Sequence, residues 1–199
     1  MEKVVGNAKV LDVGVGANCI YPIVGVCEYD WRFVGADIDP KSVKVAKMLV
    51  KVNAALTGKI EIRQQQKEAN VFSGIIREGE VFDVVMCNPP FYRSQEEADA
   101  KNRLKSKNLG IGNGKNVQRN FGGQNAELHC EGGEFGFISR MIRESVGFQT
   151  QVKWFTTLVA NRSNLEGLER QLKKFNATEV KIIPMTRGLK ASRILAWKW

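Results

Sequence analysis

Apolar residues along the chain fall into two alternating patterns. Short apolar or alternating runs predict buried β-strands at residues 9–16, 31–39, 59–63 and 82–87. Between them, apolar residues recur three and four positions apart, which predicts helices at 17–29 and 41–53 and a short helix at 71–76. Strict alternation of strand and helix is typical of a parallel sheet covered by helices.

The same alternation resumes at residue 133 and then changes. A helix is predicted at 133–146, a strand at 152–159 and a helix at 163–175, with Ser163 or Asn161 as its cap. Two further strands, 178–183 and 193–199, have no helix between them, so we expect an antiparallel hairpin at the sheet edge. The predicted fold is α/β, with a mostly parallel seven-stranded sheet and a C-terminal antiparallel hairpin.

The first strand ends in a glycine turn, Asp12-Val-Gly14-Val-Gly16. Glycines there allow the backbone to approach a ligand closely, and the next helix points its N-terminus at the same place. Cys19 stands where a dinucleotide fingerprint has its third glycine, and a lone Gly-x-Gly is common in turns. Asp37 strengthens the signal, since it follows by about 20 residues, as does the ribose-binding acid of Rossmann-like folds.

The strand at 82–87 stops at Asn88-Pro89-Pro90-Phe91. Neither proline has an N–H for the sheet, and the residue before each is kept out of the helical region. An amide, carbonyls and an aromatic ring thus stand at the carboxyl end of a strand, where open α/β sheets bind ligands. The polar segment 64–68 follows the third strand and is expected at the same edge. Such polar loops are more often simply solvated.

Composition adds a basic charge and removes several classes of protein. The net charge of +9 favours a polyanionic partner, although a solvated basic face gives the same balance. No apolar run approaches the ~20 residues of a membrane span, and the N-terminus has no secretory signal, so we expect one cytoplasmic domain over 1–199. The four cysteines and one histidine lack the spacing of a metal site.

Residues 93–133 break the pattern, with many lysines, arginines and glycines and little apolar periodicity. Such a long segment in a compact domain is functional or disordered. Because it directly follows Phe91, we interpret it as a flexible basic substrate loop that binds phosphates. A disordered basic linker is the alternative.

Several blocks together resemble one family. They are Leu11-Asp-Val-Gly-Val-Gly-Ala-Asn-Cys-Ile-Tyr-Pro-Ile23, Gln66-Lys-Glu68, Phe72-Ser-Gly-Ile75, Cys87-Asn-Pro-Pro-Phe91, Glu131-Gly-Gly-Glu134 and Trp154-Phe-Thr-Thr-Leu158. The chain resembles the ribosomal RNA large subunit methyltransferase F family, whose eukaryotic relatives are the methyltransferase-like 16 RNA enzymes. The resemblance implies a Class I (Rossmann-like) S-adenosylmethionine-dependent methyltransferase that modifies an adenine N6 of 23S rRNA. Members carry a substantial segment before the first strand, so this chain is expected to be a fragment or a short member.

The resemblance also implies roles for individual residues. Asn88 and the Pro89 carbonyl accept the two hydrogens of N6, and Phe91, with Tyr92, stacks on the base, Pro90 completing the motif. The cofactor-binding residues are Asp12, Gly14, Gly16, Asn18, Asp37, Lys67 and Glu68. Asp12 either orients the glycine turn or meets the methionine ammonium, Asn18 is alternatively a helix cap, and Asp39 is interpreted as a cap. A protein glutamine methyltransferase and a catalytically silent RNA- or cofactor-binding module are the two rival interpretations.

Overall fold

The computed structural model describes residues 6–90, 130, 132–187 and 190–199. Phe91, Tyr92 and nearly all of the predicted basic loop at 93–133 lie outside these residues. The strands are β1 (Lys9–Val13), β2 (Arg32–Asp37), β3 (Ile60–Gln64), β4 (Phe82–Cys87), β5 (Val152–Val159), β6 (Glu179–Arg187) and β7 (Lys190–Lys198). The helices within the described ranges are α1 (Ile20–Tyr29), α2 (Pro40–Val52), α3 (Gly133–Ser145) and α4 (Leu165–Lys174).

The strands form a 7-stranded sheet in the order β3-β2-β1-β4-β5-β7-β6. The first five pair in parallel, with Leu11 opposite Val34 on one side and Val85 on the other. β7 is antiparallel to both β5 and β6. The predicted α/β fold and its C-terminal hairpin are confirmed. Parallel pairing brings the carboxyl ends of β1 to β4 to one edge of the sheet, because each connecting segment returns the chain to the opposite edge.

Two buried clusters occupy the two faces of the sheet. On one face α1 and α2 place Val26, Val43 and Ala46 against Val10 and Phe33. The other face is covered by α3 and α4, whose buried side chains pack against those of β4, β5 and β7; they include Ile138, Met141, Leu168, Leu172, Phe155 and Trp197. The sheet is therefore the middle of three layers over β1 and β4, where the ligand-binding edge was expected.

The predicted helix at 71–76 is wrong. Residues 73 and 76 instead form an isolated β-bridge. The Glu144 carboxylate of α3 accepts the backbone N–H groups of Val71 and Ser73, each at 2.6 Å, and that of Phe72 at 3.2 Å. Because one carboxylate accepts hydrogen bonds from three successive N–H groups, this backbone needs no helix to satisfy them. The apolar content of the segment alone therefore led to the wrong prediction.

Smaller differences concern element ends. The hairpin strands are longer than expected, since β6 continues through Pro184 to Arg187. Proline is tolerated there because β6 is an edge strand of the sheet. Asn161 accepts the N–H of Ser163 and caps a 3₁₀ turn that leads into α4. Within the described part of the chain, no helix has the length and hydropathy needed to cross a membrane.

Candidate active site

A cavity of about 610 Å³ opens at the carboxyl ends of β1 to β4. Its volume is within the range of small-molecule sites. Three walls are formed by the turns after β1 and β2, the segment after β3, and the Asn-Pro-Pro turn after β4. The fourth wall belongs to α3 and the residues just before it. The described lining residues that bear on the chemistry are Gly14, Asp37, Asp39, Gln65, Glu68, Asn70, Asn88, Pro89, Pro90, Cys130, Phe137 and Arg140.

The glycine turn after β1 lies directly beside the turn after β4. Gly14 has φ of 77° and Gly16 has φ of 63°, a backbone conformation that other residues adopt at a cost. The N–H of Gly14 donates to the Ala36 carbonyl at 2.8 Å, which ties the turn to β2. A Cβ on Gly14 would lie 4.0 Å from the Asn88 carbonyl oxygen. The two sequence motifs, 74 positions apart, are therefore neighbours across one cavity.

Asp37, at the end of β2, holds this glycine turn. One carboxylate oxygen accepts the N–H of Gly16 at 2.9 Å, and the other accepts the N–H of Asp39 at 2.9 Å. Burial raises the pKa of Asp37, and the two backbone hydrogen bonds oppose that shift. Each oxygen keeps a second lone pair for a ligand. Asp37 thus combines a structural role with its position on the cavity wall.

Asp12 makes no hydrogen bond through either carboxylate oxygen to the residues that the structure describes, although it is 1% exposed. Burial, followed by the neighbouring Asp37 charge, raises the pKa of Asp12 to about 8. An unpaired buried carboxylate is costly, and such groups concentrate at ligand sites. Neither oxygen of Asp12 hydrogen-bonds to the glycine turn, which is held by Asp37 instead.

Asp39 is confirmed as the cap of α2. Its carboxylate accepts from the N–H of Lys41 at 3.2 Å and from the N–H and hydroxyl of Ser42 at 2.9 and 2.8 Å. Burial alone would raise the pKa of Asp39, but these hydrogen bonds outweigh it and leave the pKa below its ordinary value. The capping hypothesis for Asn18 is wrong, since the N-cap of α1 is Cys19, which has a left-handed conformation.

The Asn-Pro-Pro turn presents its side chains unequally. Asn88 is exposed at the cavity rim, whereas Pro89 is buried behind it and Pro90 is half-buried. Phe91, the next residue of the motif, lies outside the described residues. The arrangement leaves the Asn88 amide accessible to a planar substrate that enters from the solvent.

Backbone and side chain bonds shape the segment after β3. The Gln65 amide donates to the Ser73 carbonyl at 3.1 Å and accepts the N–H of Lys67 at 3.0 Å. Glu68 consequently faces the cavity, and Lys67 does not contribute to its lining. Asp12, Gly16 and Asn18 also lie outside the lining, so six of the eleven predicted site residues form cavity wall: Gly14, Asp37, Glu68, Asn88, Pro89 and Pro90.

Residues of the fourth wall were missed as site residues. Cys130, Phe137 and Arg140 line the cavity from the α3 side. Arg140 has a buried Nε with no hydrogen-bond partner in the described part of the chain, and its guanidinium carbon lies 5.7 Å from the Phe137 ring centre. The available signal was the Glu131-Gly-Gly-Glu134 block, which precedes this wall but says nothing of Arg140.

Glu134 lies in the first turn of α3, where an acid suits the helix N-terminus, and it also makes long-range hydrogen bonds. It is 5% exposed, and its carboxylate accepts the N–H groups of Ala160 and Asn161 at 2.6 and 3.1 Å and the Asn164 amide at 2.7 Å. These bonds fasten the turn after β5 to the start of α3. Glu134 and Glu144 therefore hold the two ends of α3 against neighbouring loops of the sheet.

The cavity cysteines are unreactive by their environment. Burial, and next the Asp12 charge, raises the pKa of Cys87 well above its ordinary value, and burial raises that of Cys130. A thiol that keeps its proton is a poor nucleophile and a poor metal ligand. The described residues also contain no group of three or more His, Cys, Asp or Glu side chains placed to hold a metal ion.

A model of an RNA methyltransferase family matches residues 1–199. The chain belongs to this RNA methyltransferase family. Among curated relatives, the ribosomal RNA large subunit methyltransferase F of Vibrio campbellii is 46% identical over 211 residues, covering 97% of this chain and 54% of the relative. That of Pseudomonas putida is 50% identical over 195 residues, with 97% and 61% covered. The chain thus spans little more than half the length of these RNA methyltransferases.

Solved structures agree with the family assignment. The catalytic domain of hMettl16 in complex with MAT2A 3′UTR hairpin 1 has a TM-score of 0.77 and 26% identity, covering 96% of this chain and 63% of that one. The N-terminal domain of human METTL16 in complex with SAH has a TM-score of 0.72 at 23% identity, with 97% and 62% covered. The second likeness shows the methyltransferase fold alone, and both support the Class I arrangement of this family member.

Proposed function

We propose that this chain carries the catalytic site of an S-adenosylmethionine-dependent methyltransferase that acts on an adenine N6 of 23S rRNA. One observation carries the proposal: the glycine turn at Gly14 and the carbonyl of Asn88 adjoin across one cavity. A methyl donor held by the first turn would lie next to an acceptor held by the second. The names of the Vibrio and Pseudomonas relatives support the RNA substrate.

The residues of the cavity, together with Asp12 and Gly16 just outside its lining, fit S-adenosylmethionine. Asp12 offers a buried carboxylate with no partner among the described residues, which suits the methionine ammonium. Gly14 and Gly16 give backbone access, Asp37 has lone pairs left for ribose hydroxyls, and Glu68 can accept from the adenine amino group. When bound, the cofactor supplies a methyl group on a positively charged sulfur. Lys67 and Asn18 are proposed to contact it from the edge of the site.

Asn88 and Pro89 would act on the acceptor. The lone pair of an adenine amino nitrogen is delocalised into the ring, so the nitrogen is a poor nucleophile. The Asn88 side-chain oxygen and the Pro89 carbonyl would each accept one of its hydrogens, which favours a pyramidal nitrogen with its lone pair directed at the methyl group. Phe91 would stack on the base once it leaves its helix, and Pro90 fixes the turn. No strong base is then required.

The rest of the chain suits an RNA substrate. The net charge of +9 favours a polyanion through counterion release, and the basic loop at 93–133 follows the Asn-Pro-Pro-Phe motif directly. We propose that this loop lies along the RNA backbone, that 1–199 acts as one catalytic domain, and that it works in the cytoplasm, where ribosomal RNA is found. A glutamine methyltransferase would gain nothing from the same charge.

The decisive experiment is nucleoside mass spectrometry of 23S rRNA incubated with the protein and isotope-labelled S-adenosylmethionine. We expect labelled N6-methyladenosine from the unmutated chain. Asn88→Ala should lower its formation by at least about 100-fold, since a group that stabilises only the transition state is lost. Binding of S-adenosylhomocysteine, measured by calorimetry, should stay nearly unchanged in that variant.

Asn53→Ala is the matched control, because Asn53 is an exposed asparagine at the end of α2, remote from the cavity. It should methylate RNA at the unmutated rate. Labelled glutamine in a protein substrate with unlabelled RNA would favour the rival activity. Joint loss of methyl transfer and cofactor binding in Asn88→Ala would assign Asn88 to cofactor binding or folding.

A further inference from the structure

The cavity has an apolar alcove on the α3 side of the sheet. Its floor is made by four buried side chains at or near the carboxyl ends of β1 to β4, namely Val13, Ala36, Val71 and Cys87. Phe137 of α3 closes one side. A narrow space between apolar walls suits a flat aromatic ring, because both ring faces leave water together.

A hydrogen-bond acceptor and a hydrogen-bond donor line the cavity beside this alcove. Glu68 contributes an acceptor, and Arg140 contributes donors. Cys130 lines the same cavity as Glu68 and Arg140. No salt bridge joins Arg140 to Glu68 among the described contacts, so both side chains remain available to a ligand.

Arg140 is the one cation among the described residues that line the cavity, beside three carboxylates, Asp37, Asp39 and Glu68. Its Nε is buried and has no hydrogen-bond partner in the described ranges, and its charged group lies over the Phe137 ring. The Cys130 thiol is a weak acceptor for this guanidinium, whose terminal N–H groups can still donate to a ligand in the cavity.

We propose that Arg140 is a specificity-determining residue for the cofactor, donating a hydrogen bond to a ring nitrogen of its adenine. The inference rests on the proposed function, since it takes S-adenosylmethionine as the ligand. Adenine carries two ring-nitrogen acceptors, N1 and N7, that flank its amino group. Glu68 accepts from the amino group while Arg140 donates to one of these nitrogens. The pair thus distinguishes adenine from purines with the opposite arrangement of donors and acceptors.

An RNA phosphate is the competing ligand for a cavity arginine. The three carboxylates of the cavity lining, Asp37, Asp39 and Glu68, argue against it, because a phosphate would add further negative charge to their surroundings. The apolar floor also offers a phosphate no hydrogen bonds. A purine edge uses the same guanidinium without adding negative charge to an acid-rich cavity.

The test is a binding cycle between protein and ligand variants, measured by calorimetry with S-adenosylhomocysteine and its 1-deaza- and 7-deaza-adenine analogues. Each analogue lacks one ring acceptor and keeps the rest of the molecule. One of the two should bind the unmutated protein about tenfold more weakly than S-adenosylhomocysteine, the effect of losing one hydrogen bond from a charged donor. In Arg140→Met this difference should disappear, with affinity for S-adenosylhomocysteine lowered about tenfold.

Two further variants separate a specific contact from a general effect. Arg143→Met removes an exposed arginine three positions further along α3 and should leave all three affinities unchanged. Arg140→Lys keeps the charge but loses the planar fork, so it should restore affinity in part. Circular dichroism and thermal unfolding check that each variant is folded.

Failure of this inference can be told apart from failure of the proposed function. If the unmutated protein binds S-adenosylhomocysteine and neither deaza analogue binds more weakly, or the difference survives in Arg140→Met, Arg140 does not contact the purine. Unchanged cofactor affinity in Arg140→Met with reduced methyl transfer would assign the residue to RNA. No binding by the unmutated protein would remove the proposed function, and this inference with it.

Discussion

Two carboxylates of this molecule, the buried Asp12 and the half-buried Glu80, have opposite environments. Asp12, a residue of β1 just outside the cavity lining, has no hydrogen-bond partner for either oxygen among the described residues, and its pKa is raised to about 8, first by burial and then by Asp37. Glu80, just before β4, has every partner it can use. Arg63 holds it through two bonds of 2.6 and 2.8 Å, and Lys9 adds a third at 3.0 Å.

The difference separates function from structure. The Arg63 network, made of Arg63 with Glu61 and Glu80, Arg77 and Lys9, joins β1 and β3 to the segment before β4. Within it the bonds from Arg63 are the largest cause of a lowered Glu80 pKa, which falls to about 2. Such a group contributes to stability when charged. Ionising Asp12 in the free protein costs free energy, as expected of a buried carboxylate whose partner is a cationic group of a ligand.

Removing Glu80 should have the largest effect on stability. The Arg63 side chain is only 6% exposed, and in Glu80→Gln it keeps the half-exposed Glu61 as its one carboxylate partner in this network. We therefore expect the free energy of unfolding to fall by about 3 kcal/mol. Urea unfolding measures this change, and Glu78→Gln is the matched control, because Glu78 is exposed. The folded variant should bind S-adenosylhomocysteine normally. Equal stability of Glu80→Gln and Glu78→Gln would mean that the network contributes no more than a surface pair.

Asp12→Asn should reverse that result. Affinity for S-adenosylhomocysteine should fall about 10- to 100-fold, because the charge proposed for the methionine ammonium is lost. Stability of the free protein should not fall, since a neutral amide replaces a buried group that is costly to ionise. Asp30→Asn, an aspartate whose side chain is 65% exposed, provides the control for both measurements. Loss of stability together with unchanged affinity would make Asp12 a structural residue after all.

The same contrast explains how far the sequence predicts the site. Gly14, Asp37 and Asn88 each belong to a short contiguous motif at a strand end, and parallel pairing guarantees that such ends meet. The alternation of strands and helices likewise predicts a mostly parallel sheet, and the two adjacent C-terminal strands predict its antiparallel hairpin. Both could therefore be predicted from the sequence.

The fourth wall could not be predicted in this way. Arg140 is the eighth residue of α3, and its neighbours there do not distinguish a cavity arginine from a surface one. The position of α3 depends on hydrogen bonds between residues that are distant in sequence. The Glu144 carboxylate, for example, bonds to residues after β3 that lie more than 70 positions away. The incorrect helix prediction at 71–76 has the same cause, because the apolar content of that segment carries no information about the distant carboxylate that binds it.

The prediction that compares the two environments directly is the pH dependence of stability. Asp12 has a raised pKa, so the folded protein holds a proton that the unfolded chain has lost between the ordinary value of 3.8 and about 8. Stability from this group is complete below 3.8 and is lost as pH rises, by about 1.4 kcal/mol per pH unit at most. Glu80 acts in the opposite sense, since its stabilisation is lost as pH falls from 4.5 through about 2.

Urea unfolding at pH 5, 6, 7 and 8 separates these two contributions, because Glu80 is fully ionised in both states over most of that range. The stability of Asp12→Asn relative to the unmutated protein should increase steadily from pH 5 to 8, whereas that of Asp30→Asn should not. Saturating S-adenosylhomocysteine should flatten the increase, since a bound ammonium lowers the pKa of Asp12 and stabilises the ionised form. Parallel stability curves for Asp12→Asn and the unmutated protein would contradict the raised pKa, and with it the assignment of Asp12 as the group kept unpaired for a cation.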